Sequence, residues 1–161
     1  MPTGPRILLD NACYHVVMRG NQRQMVFMEK SDFEYYLNKI RKYKRKYNLF
    51  LYSYCLMSNH IHMLVEIKDS KNLPSFMHDL NRSYTAYFNN RYQKVGYLWQ
   101  GRFKSYIVNK DEYVFNCINY MESNPVRAEL VDCINEYKYS SYNERVLGIV
   151  DRYKMLDNFV I

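Results

Sequence analysis

Hydrophobic and polar residues alternate from Ala12 to Arg19, and they alternate again in two apolar runs between residues 51 and 67. Alternation with a period of two is typical of a β-strand that has one buried face. The polar pair Ser58 and Asn59 separates the two later runs, so this stretch predicts a β-hairpin. Residues 102–108 alternate in the same way and predict a fourth strand.

Three segments carry apolar residues at helical spacing and therefore predict α-helices. The first helix should begin near Ser31 and Glu34, which have the spacing of a capping box. The second should extend over residues 72–92. The third should extend over residues 110–123, because Pro125 prevents its continuation.

The predicted order is strand, helix, strand, strand, helix, strand and then one added helix. This is the split βαβ arrangement of a ferredoxin-like fold, an α+β class with helices packed on a central antiparallel sheet. A chain of 161 residues has the length of a single domain. We therefore expect one domain over residues 1–161, with an N-terminal arm at 1–10 and a C-terminal tail at 144–161.

Composition adds an expectation about partners and compartment. A formal net charge of +7 favours a polyanionic partner. The 18 tyrosines offer stacking faces beside the basic residues, as single-stranded nucleic acids require, although packing must account for most of them. The four cysteines have no CxxC spacing, and no apolar run is long enough to span a membrane. These features predict a cytoplasmic protein with reduced thiols and no membrane partner.

Two histidines lie two residues apart in the second strand of the predicted hairpin. Because alternate side chains of a strand share a face, His60, His62 and Glu66 point the same way, and the two imidazoles are close enough to bind one metal ion. Histidines that merely face solvent would give the same pattern, so the spacing alone leaves both interpretations open. His15 and His78 have no partner at metal-binding spacing.

Two further patterns carry candidate chemistry. Tyr120 and Asn124 are four residues apart, which places them on one ridge of the third predicted helix, although a tyrosine that simply packs gives the same pattern. One face of the fourth predicted strand carries Arg102, Lys104 and Tyr106. A cationic and aromatic face suits a single-stranded nucleic acid, and a solvated strand face is an equally good interpretation.

Four motifs follow one another along nearly the whole chain: YHVVMRGN at 14–21, CLMSNHIHMLV at 55–65, LWQGRFKSY at 98–106 and NYMESNPVRAELV at 119–131. Together they resemble the single-tyrosine HUH transposases of the IS200-like family, and in particular its REP-associated tyrosine transposase branch. The family usually has proline where Ser58 stands and glycine where Glu129 stands. Neither difference removes a reactive group.

The resemblance implies a transposase and endonuclease that acts on single-stranded or hairpin DNA by transesterification. It gives His60, His62 and Asn124 the role of metal ligands, and it gives Tyr120 the role of nucleophile. The implied intermediate is a covalent 5′-phosphotyrosine with a free 3′-OH. The implied cofactor is a divalent ion, Mg²⁺ or Mn²⁺, and no nucleotide cofactor is required. Related enzymes act as monomers or homodimers, and both states remain open.

Six basic residues are candidates for contact with the DNA backbone: Arg6, Arg19, Arg82, Arg102, Lys104 and Arg127. Two functions other than a strand transferase remain open. One is a non-catalytic binding module for structured single-stranded DNA or RNA, which needs neither the histidines nor Tyr120. The other is a metal-dependent hydrolase in which water replaces the tyrosine, and a covalent protein–DNA adduct would exclude it.

Overall fold

The computed structural model describes residues 6–150 and 153–159. Within them the strands are β1 (Ala12–Arg19), β2 (Leu49–Leu56), β3 (His60–Ile67) and β4 (Lys104–Val108). The α-helices are α1 (Lys30–Lys46), α2 (Asn72–Tyr92), α3 (Val114–Glu122), α4 (Asn124–Arg127) and α5 (Tyr142–Leu147). Residues 1–5 of the predicted arm, and residues 151–152 and 160–161 of the predicted tail, lie outside the described residues.

The four strands form one antiparallel sheet in the order β2-β3-β1-β4. The predicted hairpin is confirmed as β2 and β3, and β1 pairs with both β3 and β4. This order is that of the split βαβ arrangement, so the predicted ferredoxin-like α+β fold is confirmed. No helix among the described residues is long and apolar enough to cross a lipid bilayer.

The alternation in β3 separates the two faces of the sheet. Ile61, Met63 and Val65 are buried in the core that α1 and α2 form with one face. Leu64 points to the other face, where it packs with Ile118 and other apolar residues of α3. Strand alternation therefore places the helix that carries Tyr120 on the same face as the histidines.

The predicted capping pair of α1, Ser31 with Glu34, is wrong. Glu29 is the N-cap, and Asp32 accepts hydrogen bonds from the backbone N–H groups of Met28 and Glu29 at 2.9 and 3.0 Å. The Asp32 side chain is fully buried and also accepts hydrogen bonds from two tyrosine hydroxyls of α2. Contact with α2 thus helps to decide where α1 begins, and sequence spacing does not contain this contact.

The described part of the C-terminal segment covers the outer edge of the sheet at β2. The Leu56 N–H donates to the Tyr139 carbonyl at 2.8 Å, and the Asp157 N–H donates to the Leu51 carbonyl at 2.8 Å. Met155 is buried in the main core. Because an uncovered edge strand pairs readily with other chains, these contacts protect β2.

Helix α3 begins at Val114, four residues later than predicted, since residues 110–113 form a turn. A buried polar network holds its C-terminal end against the sheet. The carboxylate of Glu122 is fully buried and accepts hydrogen bonds from the hydroxyls of Ser53 and Ser141 and from the guanidinium of Arg145. This network anchors α3 at Glu122, which is two residues after Tyr120.

Glu122→Ala is expected to lower the free energy of unfolding by about 3 kcal/mol, because it leaves the Arg145 guanidinium without its carboxylate and removes one partner from each of two buried hydroxyls. Equilibrium unfolding in urea measures the change. Glu112→Ala is the matched control, since Glu112 is exposed just before the same helix, and it should change the free energy by less than about 0.5 kcal/mol. Equal effects of the two variants would contradict an anchoring role for Glu122.

Candidate active site

The site lies on the α3 face of the sheet, at the beginning of β3. His60 and His62 point to this face, and their ring centroids are 5.1 Å apart. In the register of β1 with β3, Arg19 is directly opposite His60, and Val17 is directly opposite His62. Side chains directly opposite each other share a face, so Arg19 lies beside the histidines.

Asn124, the first residue of α4, meets both histidines. Its amide Nδ2 is 3.4 Å from His60 Nε2 and 3.0 Å from His62 Nε2. Tyr120 lies one helical turn earlier, and its ring centroid is 6.4 Å from that of His62. The structure therefore brings together the four residues that the resemblance selects. The Tyr120 side chain is 55% exposed, so a ligand can reach it from solvent.

The guanidinium of Arg127 packs on the ring of Tyr120. Its Cζ atom is 4.1 Å from the centroid of the tyrosine ring, and its Nη1 donates to Ser123 Oγ at 2.6 Å. A guanidinium over an aromatic face is attracted by the ring, so this contact restrains both side chains. It also places a positive charge where a phenolate or a phosphate would carry negative charge. Sequence reasoning selected Arg127 for DNA contact and did not foresee its contact with Tyr120.

His15 is the site residue that sequence reasoning missed. Its Nε2 is 2.8 Å from His62 Nδ1, and the two rings stack with an interplanar angle of 23°. His15 on β1 is opposite Leu64 on the adjacent strand β3, so it is a diagonal neighbour of His62. Spacing along the chain cannot reveal such a pair, because the register of two strands that are distant in sequence creates it.

The buried surroundings keep the histidines neutral. Burial, together with the nearby charge of Arg19, lowers the pKa of His60 to about 4. Burial lowers the pKa of His62 to about 3, with smaller contributions from His15 and His60. Both imidazoles are therefore uncharged at neutral pH, which is the form that binds metal ions.

The metal-free protein is expected to lose stability as the pH falls from about 6.5 towards 4. An unfolded histidine titrates near its ordinary pKa of 6.5, above the lowered values of His60 and His62. Between those values the unfolded chain binds more protons than the folded chain, so the free energy of unfolding rises with pH. Urea unfolding in EDTA at several pH values in this window measures the slope. His60→Gln should make the slope shallower, because His62 and His15, whose pKa values are also lowered, remain. An unchanged slope would contradict the contribution of His60.

The candidate metal donors are two imidazole nitrogens and one amide group. Glu66 shares their strand face but accepts hydrogen bonds from Tyr52 and, at 2.9 Å, from Lys110. Within the part of the chain that the structure describes, no cluster of three His, Cys, Asp or Glu side chains is arranged to hold a metal ion. The three convergent side chains fit a divalent ion that accepts nitrogen and oxygen ligands, provided that Asn124 turns its amide oxygen towards it.

The six basic residues selected for DNA contact fall into two groups. Arg19, Lys104 and Arg127 lie near the histidines, because Lys104 pairs with Val17 on the same face and Arg127 contacts Tyr120. The other three line a groove with a volume of about 1020 Å³ between α2 and the 96–103 segment: Arg6, Arg82 and Arg102. The structure thus separates a group of cations at the site from a group at the groove.

The groove combines apolar walls with basic side chains. Arg6 stacks on Phe103 at 3.5 Å and donates to the Phe103 carbonyl at 2.6 Å, so part of its guanidinium already has a partner. Among the described residues, the buried Nε of Arg6 and the buried Nε1 of Trp99 have no hydrogen-bond partner. Tyr97, which sequence reasoning did not single out, also lines the groove and exposes its ring.

Comparison with known proteins identifies a family. Residues 9–124 match the model of the family described as "Transposase IS200 like". A candidate REP-associated tyrosine transposase of Haemophilus influenzae is 26% identical over 103 residues, which are 57% of this chain. The chain spans 58% of the length of that relative.

Two solved structures share the fold. A REP-associated tyrosine transposase bound to a REP hairpin matches with a TM-score of 0.71 and 15% identity over 100% of both chains. A candidate transposase of Deinococcus radiodurans matches with a TM-score of 0.51 and 17% identity over 77% of this chain and 97% of its own. At these identities the likeness concerns the fold, whereas the family model matches well over half of the sequence. This protein belongs to the IS200-like transposase family.

Proposed function

We propose that this protein is a metal-dependent endonuclease and strand transferase, which cleaves and rejoins single-stranded DNA near hairpins through a covalent 5′-phosphotyrosine. One observation carries the proposal: in a member of a transposase family, an exposed tyrosine lies beside a convergent set of two imidazoles and an amide. A protein that only binds DNA needs no such set. The four residues converge within one chain.

Tyr120 is the proposed nucleophile. Its phenolic oxygen forms a bond to the phosphorus of the scissile phosphodiester, the bond from phosphorus to O3′ breaks, and the leaving oxygen takes up a proton to become a 3′-OH. Rejoining is the reverse step, in which a 3′-OH attacks the phosphotyrosine and releases Tyr120. A phenol with a pKa of about 10 is a poor nucleophile at neutral pH. The guanidinium of Arg127, which lies against the ring, stabilises negative charge as the phenol loses its proton.

His60, His62 and Asn124 are the residues that would hold a divalent cation, Mg²⁺ or Mn²⁺. When bound, such an ion polarises a phosphodiester and stabilises the charge that develops on its oxygens. The two imidazoles supply neutral nitrogen donors, and the Asn124 side chain supplies an amide oxygen after a half turn. Arg19, which is opposite His60, adds a positive charge that attracts the DNA backbone.

The groove beside α2 is the proposed contact for the DNA strand next to the cleaved bond. The solved relative that matches over its whole length is described as bound to a REP hairpin, which supports a hairpin ligand for this fold. Arg6, Arg82 and Arg102 line the groove and supply positive charge for the phosphate backbone. The exposed ring of Tyr97 offers a stacking surface for an unpaired base.

Arg82→Gln is expected to weaken the binding of hairpin DNA by about 3- to 10-fold and to reduce the salt dependence of binding by about one ion. Arg82 is exposed on α2 and lines the groove. Fluorescence anisotropy over a range of salt concentrations measures both quantities. Arg45→Gln is the control, since Arg45 is an exposed arginine of α1 that does not line the groove. Equal losses in the two variants would indicate attraction by net charge alone.

The function is tested with hairpin oligonucleotides that carry a single-stranded flank and a fluorophore at either end. In Mn²⁺ or Mg²⁺, a denaturing gel should show a covalent adduct that contains the 3′-labelled fragment, because the tyrosine keeps the 5′ phosphate. EDTA should abolish the adduct. Cleavage without any adduct would instead support the hydrolase. Binding without cleavage over a varied panel of hairpins would support the binding module.

A further inference from the structure

We propose that His15 is a positioning residue, which holds the imidazole of His62 with its Nε2 directed at the metal position. This inference rests on the proposed function, because it concerns the metal site formed by His60, His62 and Asn124. It goes beyond that function by giving a role to a histidine of β1 that has no place in the ligand set.

The sheet creates the contact between His15 and His62. In the register of β1 with β3, Val17 is opposite His62 and His15 is opposite Leu64. Diagonal neighbours of this kind lie about 7–8 Å apart at the backbone, a distance that two imidazole rings can bridge. The rings meet with His15 Nε2 2.8 Å from His62 Nδ1, which is a hydrogen-bond distance.

The proton positions of the two rings follow from the orientation of the Asn124 amide. With its Nδ2 towards the histidines, as in the metal-free protein, Asn124 donates to Nε2 of both His60 and His62, so both Nε2 atoms are acceptors. A neutral imidazole with an acceptor at Nε2 carries its proton at Nδ1. His62 therefore donates its Nδ1–H to His15 Nε2, and His60 donates its Nδ1–H to Asn59 Oδ1 at 2.6 Å.

This arrangement is the one that a metal-binding histidine requires. A ligating imidazole binds the ion with one nitrogen and donates the N–H of the other to a fixed acceptor, which sets the ring orientation. Asn59 is that acceptor for His60, and His15 is that acceptor for His62. His15 itself is restrained by its neighbours on the sheet, since Leu64 and Tyr106 are opposite it on the two adjacent strands.

The first test reads the protonation of His62 directly and needs no activity. Long-range ¹H–¹⁵N NMR spectra of the metal-free protein at neutral pH distinguish a proton at Nδ1 from a proton at Nε2. We expect His62 to carry its proton at Nδ1 in the parent protein. In His15→Phe this Nδ1–H has lost its acceptor, so its signal should shift and broaden by faster exchange with water. A parent protein with the His62 proton at Nε2 would overturn the proposal.

The second test measures the affinity for Mn²⁺ alone by isothermal titration calorimetry. His15→Phe should weaken Mn²⁺ binding by about 10- to 100-fold, because phenylalanine keeps the ring and removes the acceptor. His15→Gln should remain within about 3-fold of the parent, since the glutamine amide oxygen can reach the position of His15 Nε2. Tyr106→Phe is the packing control, because the Tyr106 ring is adjacent to His15 and makes no hydrogen bond to it.

The outcomes separate this proposal from the proposed function. If His15→Phe binds Mn²⁺ as tightly as the parent, or if His15→Gln fails as badly as His15→Phe, the positioning role is wrong. If the parent protein binds no Mn²⁺ and forms no adduct, the proposed function is wrong, and the NMR experiment on the metal-free protein still decides whether His15 orients His62. If His15→Phe does not fold, His15→Gln and the NMR spectra of the parent provide the decision.

Discussion

Tyr120→Phe is expected to abolish the covalent protein–DNA adduct while leaving the fold and the binding of hairpin DNA unchanged. The substitution removes only the hydroxyl oxygen, which is the atom that would bond to phosphorus. The side chain is 55% exposed. Among the described residues, its hydroxyl takes part in no contact that holds α3 on the sheet. A denaturing gel with labelled hairpin DNA and Mn²⁺ measures the adduct, and circular dichroism measures the fold.

Tyr113→Phe is the matched control, since Tyr113 is the N-cap of the same helix and is similarly exposed. It should form the adduct at the rate of the parent protein. Loss of the adduct in both variants would point to damage to the helix rather than to its chemistry. An adduct that survives in Tyr120→Phe would show that another residue is the nucleophile.

His60→Ala is expected to weaken the binding of Mn²⁺ by more than about 100-fold and to reduce DNA cleavage to a comparable extent. The substitution removes a proposed ligand itself, so the loss should exceed that of His15→Phe. His60 is half-buried and His62 is almost fully buried, so truncation at residue 60 disturbs the core less. Calorimetry with Mn²⁺ alone measures the affinity without DNA.

His78→Ala serves as the control for this variant, because His78 is exposed on α2 and lines the groove rather than the metal position. Its affinity for Mn²⁺ should equal that of the parent. A parent-like affinity in His60→Ala would exclude His60 as a ligand. If His60→Ala binds Mn²⁺ normally but no longer cleaves DNA, His60 contacts the DNA rather than the metal ion.

Local patterns predicted the secondary structure well, and their failures have specific causes. The alternation of β3 predicted that His60 and His62 share a face opposite to Ile61 and Met63, and the structure has this arrangement. Periodicity also predicted α2 over residues 72–92, with the bounds that the structure shows. It failed at the start of α1, where buried contacts of Asp32 with α2 outweigh the cap that spacing suggested.

The sequence was similarly limited in what it could predict about the basic side chains. Charge and position selected six basic residues for DNA contact, but sequence alone could not show that they divide between the site and a groove bordered by α2. Nor could it show that Arg127 lies on the ring of Tyr120. Long flexible side chains take their partners from whatever the fold places beside them. Their roles therefore depend on packing more than on position in the sequence.

The amino-acid sequence was enough to predict the order of strands and helices, the shared face of His60 and His62, and membership of a transposase family through ordered motifs. The three-dimensional packing was needed to show that His15 is the partner of His62 and that Glu122 anchors the helix of Tyr120. The difference arises from strand register. Residues close in sequence share a local period, whereas β1 and β3 are paired by the packing of the whole sheet, and a slip of one residue would turn His15 to the opposite face.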